Sequence, residues 1–482
     1  MNVRILKNLV NGVWSEPSAG ERMDIHNPST GEVIADAPAS SEEDVNLAVT
    51  AARRAFESGD WPLVKPHERG QMLLRVAEMI RENKESLARL ETLDTGKPLS
   101  QGRADVEAAA RYFEFYGGAA DKIHGETIPI EPGVLDYTLR EPVGVTAHII
   151  PWNYPLQVAS RSCAAALAAG NTVVMKPAEQ TPLTAIELGM IIQQAGFVEG
   201  VVNIVLGEGH TAGAALASHY DINHMTFTGS VPTGTKVMKA AAENIVPVTL
   251  ELGGKSPNIV FPDAPMDDAV EWVVKSIIQN AGQTCSAGSR LLVHADCKAS
   301  FVEKVLDRMN HLSIGPGESD PDIGPILSEQ QCRRIEDFMK KVEADGGKFL
   351  LGGTRAQVEE APGGCYFKPT IIDGLNPEST VAREEVFGPV LSVFSFEDDE
   401  EAVKLANNTD YGLVTGIWTK DVSRAHKIAG RVKAGQIFIN NYGAGGGIQM
   451  PFGGYRKSGF GREKGLEALR NYTQLKNIAL KM

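Results

Sequence analysis

From Val143 onward the chain alternates short apolar runs with helical patterns, and this alternation restricts its fold more than any other feature. A strand predicted over 145–150 leads through Pro151-Trp152-Asn153-Tyr154-Pro155 into a helix over 159–169. The next strand, 172–175, ends at Lys176-Pro177 and precedes a helix over 181–195. A third, 201–206, passes Gly207-Glu208-Gly209 into a helix over 211–217, and a fourth, 224–227, passes Thr228-Gly229-Ser230 into a helix reaching 242. Strand-turn-helix units repeated in this way predict an α/β chain with doubly wound parallel sheets and ligands outside the carboxyl ends of the strands. A second round begins near Leu252, with strands expected at 258–261, 291–293, 390–394, 416–418 and 436–439.

The flanking segments differ. Residues 1–40 read as short strands and turns, and Ser41-Glu42-Glu43-Asp44 places acids at the positive end of a predicted helix. Helical patterning continues to about Ala120, broken at Trp61-Pro62 and Thr95-Gly96-Lys97-Pro98. Residues 127–130, a Pro-Gly turn at 132–133 and an extended run over 135–139 then predict a hairpin that interrupts the α/β pattern.

At 482 residues the chain exceeds a single hydrophobic core, so two or three domains are expected. Its 43% hydrophobic and 22% charged content is that of a soluble globular protein. The formal net charge of −14 argues against a nucleic-acid partner. No apolar run approaches the roughly 18 residues of a membrane span, and residues 1–10 lack the apolar core of a signal peptide. The five cysteines are odd in number and show no CxxC spacing, which predicts neither a disulfide framework nor a zinc site, and no other metal site is expected. Reduced thiols in the cytoplasm are the simplest expectation.

One cysteine stands out. Cys285, in Gly282-Gln283-Thr284-Cys285-Ser286-Ala287-Gly288, has small neighbours that leave room for a substrate, between a predicted helix and a predicted strand. Most free cysteines are small buried hydrophobes, and a nucleophilic one needs a base and an oxyanion partner elsewhere. Two glycine pairs at strand-to-helix turns are weak on their own. Gly207-x-Gly209 finds its next glycine at Gly213 and misses the dinucleotide fingerprint, and Gly229-x-x-x-x-Gly234 continues as Thr235-Lys236 and misses the triphosphate loop. Both still set backbone N–H groups at helix starts, where a pyrophosphate could sit.

Taken together, Pro151-Trp152-Asn153-Tyr154-Pro155, Lys176-Pro177-Ala178-Glu179, Phe227-Thr228-Gly229-Ser230, Glu251-Leu252-Gly253-Gly254-Lys255, Gly282-Gln283-Thr284-Cys285, Glu384-Glu385-Val386-Phe387-Gly388-Pro389 and Pro451-Phe452-Gly453-Gly454 resemble, in order and spacing, the NAD(P)-dependent aldehyde dehydrogenase superfamily. The resemblance spans essentially the whole chain. It implies oxidation of an aldehyde to its acid through a hemithioacetal and thioester on Cys285, with Asn153 and the Cys285 N–H as oxyanion hole, Glu251 as general base and Glu463 as a proton relay. It implies NAD as cofactor. Lys176 and Glu179 would meet the adenosine ribose, where a carboxylate repels a 2′-phosphate and favours NAD over NADP. Ile149, Ile150, Pro151 and Trp152 would line the cofactor cleft, as would Gly209, Gly213, Phe227, Thr228, Gly229 and Ser230. Leu252, Glu385 and Phe387 would lie at the nicotinamide end.

The family plan divides the chain into an NAD-binding domain over 1–123 and 142–252, an oligomerisation hairpin over 124–141, a catalytic domain over 253–453 and an oligomerisation tail over 454–482. A homodimer or homotetramer is therefore expected. For the substrate, Arg161 occupies a position where succinic semialdehyde dehydrogenases place an arginine that binds a distal carboxylate. The match is partial, because Gln279 and the run Gly445-Gly446-Gly447 replace two further residues of that pattern. A carboxylate-bearing or aromatic aldehyde is expected. The alternatives are a CoA-acylating enzyme, which typically lacks the Glu251 equivalent, and a betaine- or amino-aldehyde dehydrogenase, whose cationic substrate Arg161 would repel. A non-redox cysteine hydrolase would need a histidine beside Cys285, and no Cys/His signature accompanies it; the intact set of Asn153, Glu251 and Cys285 argues against a purely structural protein.

Overall fold

A computed structural model describes residues 3–443 and 447–482. Gly445 and Gly446 of the glycine run lie outside the described residues. Two large sheets organise the molecule. The first has eight strands in the spatial order Gly459–Phe460, Val248–Glu251, His224–Thr228, Val145–Ile149, Thr172–Lys176, Val202–Ile204, Asn8–Val10, Val13–Ser15. Its central neighbours pair in parallel, while the pairings at both margins are antiparallel. The central strands are buried along almost their whole length because helices cover both faces.

The second sheet has seven strands in the order Lys348–Leu351, Thr370–Asp373, Val390–Phe396, Arg290–His294, Pro257–Val260, Val414–Trp418, Gln436–Ile439. All of its pairings are parallel except the first. Its core joins Phe261, Val273, Leu291, Phe394 and Trp418, and Cys285 packs against that core.

Three differences from the sequence-based expectations matter. The strand Val248–Glu251 was not expected. It is short, follows Pro247 and ends in an acid, so it lacks an apolar run, yet it pairs in register with His224–Thr228. Lys348–Leu351 and Thr370–Asp373 were likewise unforeseen; the first pairs at the margin with half its residues exposed, which weakens any apolar signal. The expectation of five reduced thiols is corrected, because Cys332 and Cys365 form a disulfide with Cα atoms 6.5 Å apart. They are 33 residues apart in sequence, and the backbone pairing of Ile326 with Cys365 brings the second cysteine to the helix Glu329–Val342 that carries the first. Cys163, Cys285 and Cys297 are free.

The predicted hairpin forms, with Thr127–Ile128 against Val134–Pro142, and the C-terminal strand Thr473–Lys481 pairs along the whole of the latter. Among the described residues no helix is long and apolar enough to cross a membrane.

Helices Lys84–Thr95 and Leu99–Ala119 flank the turn that holds Lys97. The Lys97 ammonium, 1% exposed, lies 3.0 Å from Glu91 and 2.5 Å from Asp105, and 4.3 Å from the centre of the Tyr154 ring. Burial pushes the Asp105 carboxyl up to about 6 against the pull of Lys97. Removing the lysine leaves two buried carboxylates without a cation, a change that costs about 3–5 kcal/mol. Lys97→Met is therefore expected to lower the unfolding temperature by several degrees, as read by circular dichroism. An unchanged melting curve would show that the cluster contributes nothing to stability.

Candidate active site

Parallel strands deliver the predicted residues to one margin of the first sheet. Ile149, Lys176, Thr228 and Glu251 are each the last residue of their strands. Ile149 is level with Lys176 and with Phe227, and Thr228 is level with Glu251. Ile150, Pro151 and Trp152, Gly229 and Ser230, and Leu252 continue from these ends.

The candidate cofactor residues fall into two groups. In the first, the Lys176 ammonium donates to the Pro177 carbonyl at 3.0 Å and lies 3.1 Å from the Glu179 carboxylate. Burial lowers the Lys176 pKa, opposed by Glu179. Burial alone would raise Glu179, but Lys176 and local hydrogen bonds outweigh it and hold the carboxyl below its ordinary value. The turn Gly209–Gly213 faces this pair: a Cβ on Gly213 would stand 3.7 Å from the Lys176 Cδ, and one on Gly209 4.0 Å from Glu179 Oε2. Ser230 Oγ accepts the Thr233 N–H at 3.4 Å, capping the helix Val231–Glu243. In the second group, Leu252 packs on Gly234, and Glu385 accepts the Gly254 N–H at 2.9 Å. Burial pushes the Glu385 carboxyl up to about 7. Phe387, at φ 61°, sets its ring edge-on to Trp152 with centroids 5.2 Å apart.

The loop carrying Cys285 is built by an abrupt turn. Helix Met266–Ile278 ends, and Asn280, Ala281 and Gly282 follow at φ of 49°, 53° and 75°. Hydrogen bonds hold this conformation. The Asn280 amide donates to the Asn153 carbonyl at 3.1 Å and to the Gln283 carbonyl at 3.3 Å, and the Asn153 amide donates to Gln283 at 2.9 Å. The Gln283 amide donates to the carbonyls of Asn280 and Pro325, while its oxygen accepts the Leu327 N–H. Tyr154 and Thr284 share a hydroxyl–hydroxyl hydrogen bond of 2.9 Å. The loops bearing Asn153 and Cys285 are therefore fastened together. Cys285 is partly buried, and burial pushes its thiol up to about 12; Glu385 adds to the rise and Arg161 opposes it.

Neither carboxylate oxygen of Glu251 has a hydrogen-bond partner among the described residues. Burial, and then the nearby Glu463, raise its pKa well above the usual carboxylate value, with Arg161 opposing. A buried carboxyl left this way takes up a proton readily.

Arg161 differs from its expected role. Its guanidinium, 5% exposed, forms an ion pair with Glu463, 2% exposed, and donates to Thr228 Oγ1 at 3.3 Å. Thr226 donates to the other Glu463 oxygen at 2.8 Å. The arginine expected to await a substrate carboxylate already holds one from its own chain. Arg161 and Glu463, treated separately in the sequence, are a single unit in the structure. Sequence reasoning also missed Asn280, Gln283 and Tyr154, which fasten the loops, and Lys464, which adjoins the Gly461-Arg462-Glu463 segment it did single out.

Residues 14–478 match the model of the aldehyde dehydrogenase family. The chain is 42% identical to betaine aldehyde dehydrogenase of Bacillus subtilis over 97% of its own length and 96% of that protein. It is 43% identical to the mitochondrial aldehyde dehydrogenase of Equus caballus, covering 98% of this chain and 94% of that one. A solved aldehyde dehydrogenase of Bacillus cereus in complex with NAD+ superposes with a TM-score of 0.96 at 41% identity, covering 99% and 97% of the two chains. Betaine aldehyde dehydrogenase of Staphylococcus aureus, also solved with NAD+, gives 0.95 at 40% identity, over 98% and 94%. The chain belongs to the aldehyde dehydrogenase family.

Because the Cys285 thiol is pushed up to about 12, its thiolate fraction in the ligand-free protein should grow with every step in pH. Iodoacetamide labelling, followed on the Cys285 peptide by mass spectrometry, is expected to accelerate steadily from about pH 7 to pH 10. A plateau near pH 8 would show a thiol already activated before substrate arrives.

Proposed function

We propose that the protein oxidises an aldehyde to its carboxylic acid with NAD, through a hemithioacetal and then a thioester on Cys285. The observation that carries this reading is the joining of the Asn153 and Cys285 loops beside a buried, hydrogen-bond-free Glu251 carboxyl. NAD fits the strand ends, because Gly209 and Gly213 leave the space before Lys176 and Glu179 clear of side chains. Lys176 and Glu179 would hold the adenosine ribose, the turn Phe227-Thr228-Gly229-Ser230 the pyrophosphate, and Glu385 and Phe387 the nicotinamide end. The Glu179 carboxylate favours NAD over NADP by repelling a 2′-phosphate. NAD, when bound, supplies the hydride acceptor.

The chain's own residues perform the remaining steps. The Cys285 thiol gives up its proton to the Glu251 carboxylate, which passes it outward, and the sulfur attacks the aldehyde carbon. The new oxyanion is held by the Asn153 amide and the Cys285 N–H, a type of contact worth about 3–4 kcal/mol in the transition state. After loss of hydride the carbon is a thioester. Glu251 then removes a proton from water, the resulting hydroxide attacks, and the C–S bond breaks to release the acid while the departing sulfur takes back the proton held by Glu251, restoring thiol and carboxylate. Glu463 raises the proton affinity of Glu251 and stands as the next carboxylate toward which the thiol's proton can move. The presence of Glu251 favours water over CoA as acyl acceptor. The sheet of Thr127–Ile128, Val134–Pro142 and Thr473–Lys481, with Leu135, Leu139, Leu475 and Leu480 exposed, is the surface we assign to pairing in a homodimer or homotetramer.

Cys285→Ala is expected to abolish NADH formation while leaving NAD binding, read by calorimetry, within a few-fold of the parent. Glu251→Gln is expected to slow steady-state turnover about 10²–10⁴-fold and to leave a rapid NADH burst, because hydride departure precedes hydrolysis. Unchanged turnover in Glu251→Gln would assign the base elsewhere.

A further inference from the structure

The antiparallel bridge between Phe452 and Glu463 sets Lys464 next to the carboxylate that Arg161 holds. Phe452 and Glu463 exchange backbone hydrogen bonds of 2.6 and 2.8 Å. On the far side of Lys464, Gly465 donates its N–H to the Ile448 carbonyl at 2.8 Å and accepts the Tyr116 hydroxyl at 3.1 Å. Lys464 is thus held between fixed neighbours, at φ 62°, a conformation uncommon for a side chain of this size. Its ammonium stands 5.0 Å from the centre of the Phe452 ring, and the Arg161 guanidinium stands 5.3 Å from the same ring.

The two cations differ in what they already bind. Arg161 is matched by Glu463, and that pair is closed. Lys464 has neither an ion pair nor a side-chain hydrogen bond among the described residues, and residues 444–446 carry no acid to supply one. Glu251, the other nearby carboxyl, makes no hydrogen bond to it: neither of its oxygens has a partner among the described residues. Burial and the adjacent Arg161 push the Lys464 ammonium down to about 8, while Cys285, Glu251 and Glu463 oppose that shift, so its field reaches both sulfur and base. A partly buried ammonium without an anion bears a desolvation cost that an incoming anion would offset.

We infer that Lys464 is the specificity-determining cation of the site, binding a carboxylate carried by the aldehyde substrate at the end remote from the reacting carbon. The inference rests on the aldehyde-oxidising reading and adds its substrate class. It moves the anchor from Arg161, which is occupied, to the residue beside Arg161's own partner. It also disfavours a quaternary ammonium substrate, which would meet an uncompensated positive charge.

The test compares kcat/KM for succinate and glutarate semialdehydes with that for butanal, at saturating NAD, in the parent protein, Lys464→Met and Lys464→Arg. Betaine aldehyde is added as a cationic probe. The parent should prefer one of the carboxylated aldehydes, and the preference over butanal should fall about ten- to a hundredfold in Lys464→Met, mainly through KM. Lys464→Arg should restore most of it, and betaine aldehyde should gain relative to butanal in Lys464→Met. If all aldehydes fall together, or the parent prefers butanal, Lys464 is not a substrate anchor. Glutarate alone, titrated by thermal shift, reads the same site without turnover. Stabilisation of the parent but not of Lys464→Met supports the anion site even if no aldehyde is oxidised, an outcome that would sink only the catalytic reading. No stabilisation of either protein overturns the anion site.

Discussion

The active site depends on a buried ion pair, Arg161 with Glu463, that ties three distant parts of the chain together. Arg161 comes from the helix Pro155–Ala168, Glu463 from the C-terminal tail, and Thr226 and Thr228, which bind the pair, from a central strand of the first sheet. Bringing two opposite charges out of water costs several kcal/mol for each ion, and the cost is recovered only with good geometry and further hydrogen bonds. The threonine hydroxyls provide some of those bonds. The pair is therefore selective: it tolerates the tail in one position against the sheet, and that position fixes Phe452, Lys464 and the space beside Glu251.

The same pair orders the electrostatics around Cys285. Arg161 lowers the proton affinity of both Cys285 and Glu251, whereas Glu463 raises that of Glu251 and Glu385 raises that of Cys285. In both cases burial is the larger influence, and it raises the proton affinity of thiol and carboxyl alike. Two neutral groups avoid the expense of two buried anions side by side. A reactive thiolate held permanently in so polar a cluster would be open to oxidation and alkylation.

Much of this architecture is legible in the sequence, for physical reasons that differ from residue to residue. Strands such as Val145–Ile149 and Thr172–Lys176 are buried on both faces, so they appear as short runs rich in apolar residues, and the turn residues after them mark the ligand margin. Val248–Glu251 escaped notice because a central position in a sheet can be held by neighbours rather than by its own propensity, and Glu251 lies at its end. The disulfide between Cys332 and Cys365 was equally hidden. Cysteine parity says nothing about which two cysteines a fold brings within reach, and the parity rule presumes that all or none are paired.

Arg161 shows a more general limit. A sequence motif identifies a charged residue at a position, but whether that charge is available depends on partners that the motif does not contain. Glu463 lies 302 positions further along the chain than Arg161, and only the packing of the tail on the sheet makes the two neighbours. Once they meet, the guanidinium's charge is spent within the protein, and its capacity to bind a second carboxylate drops with it. Beside this pair, Lys464, a residue with no motif of its own, has no ion pair among the described residues. Which charges a site can offer to a ligand depends less on which charged residues line it than on which of them the fold leaves unpaired.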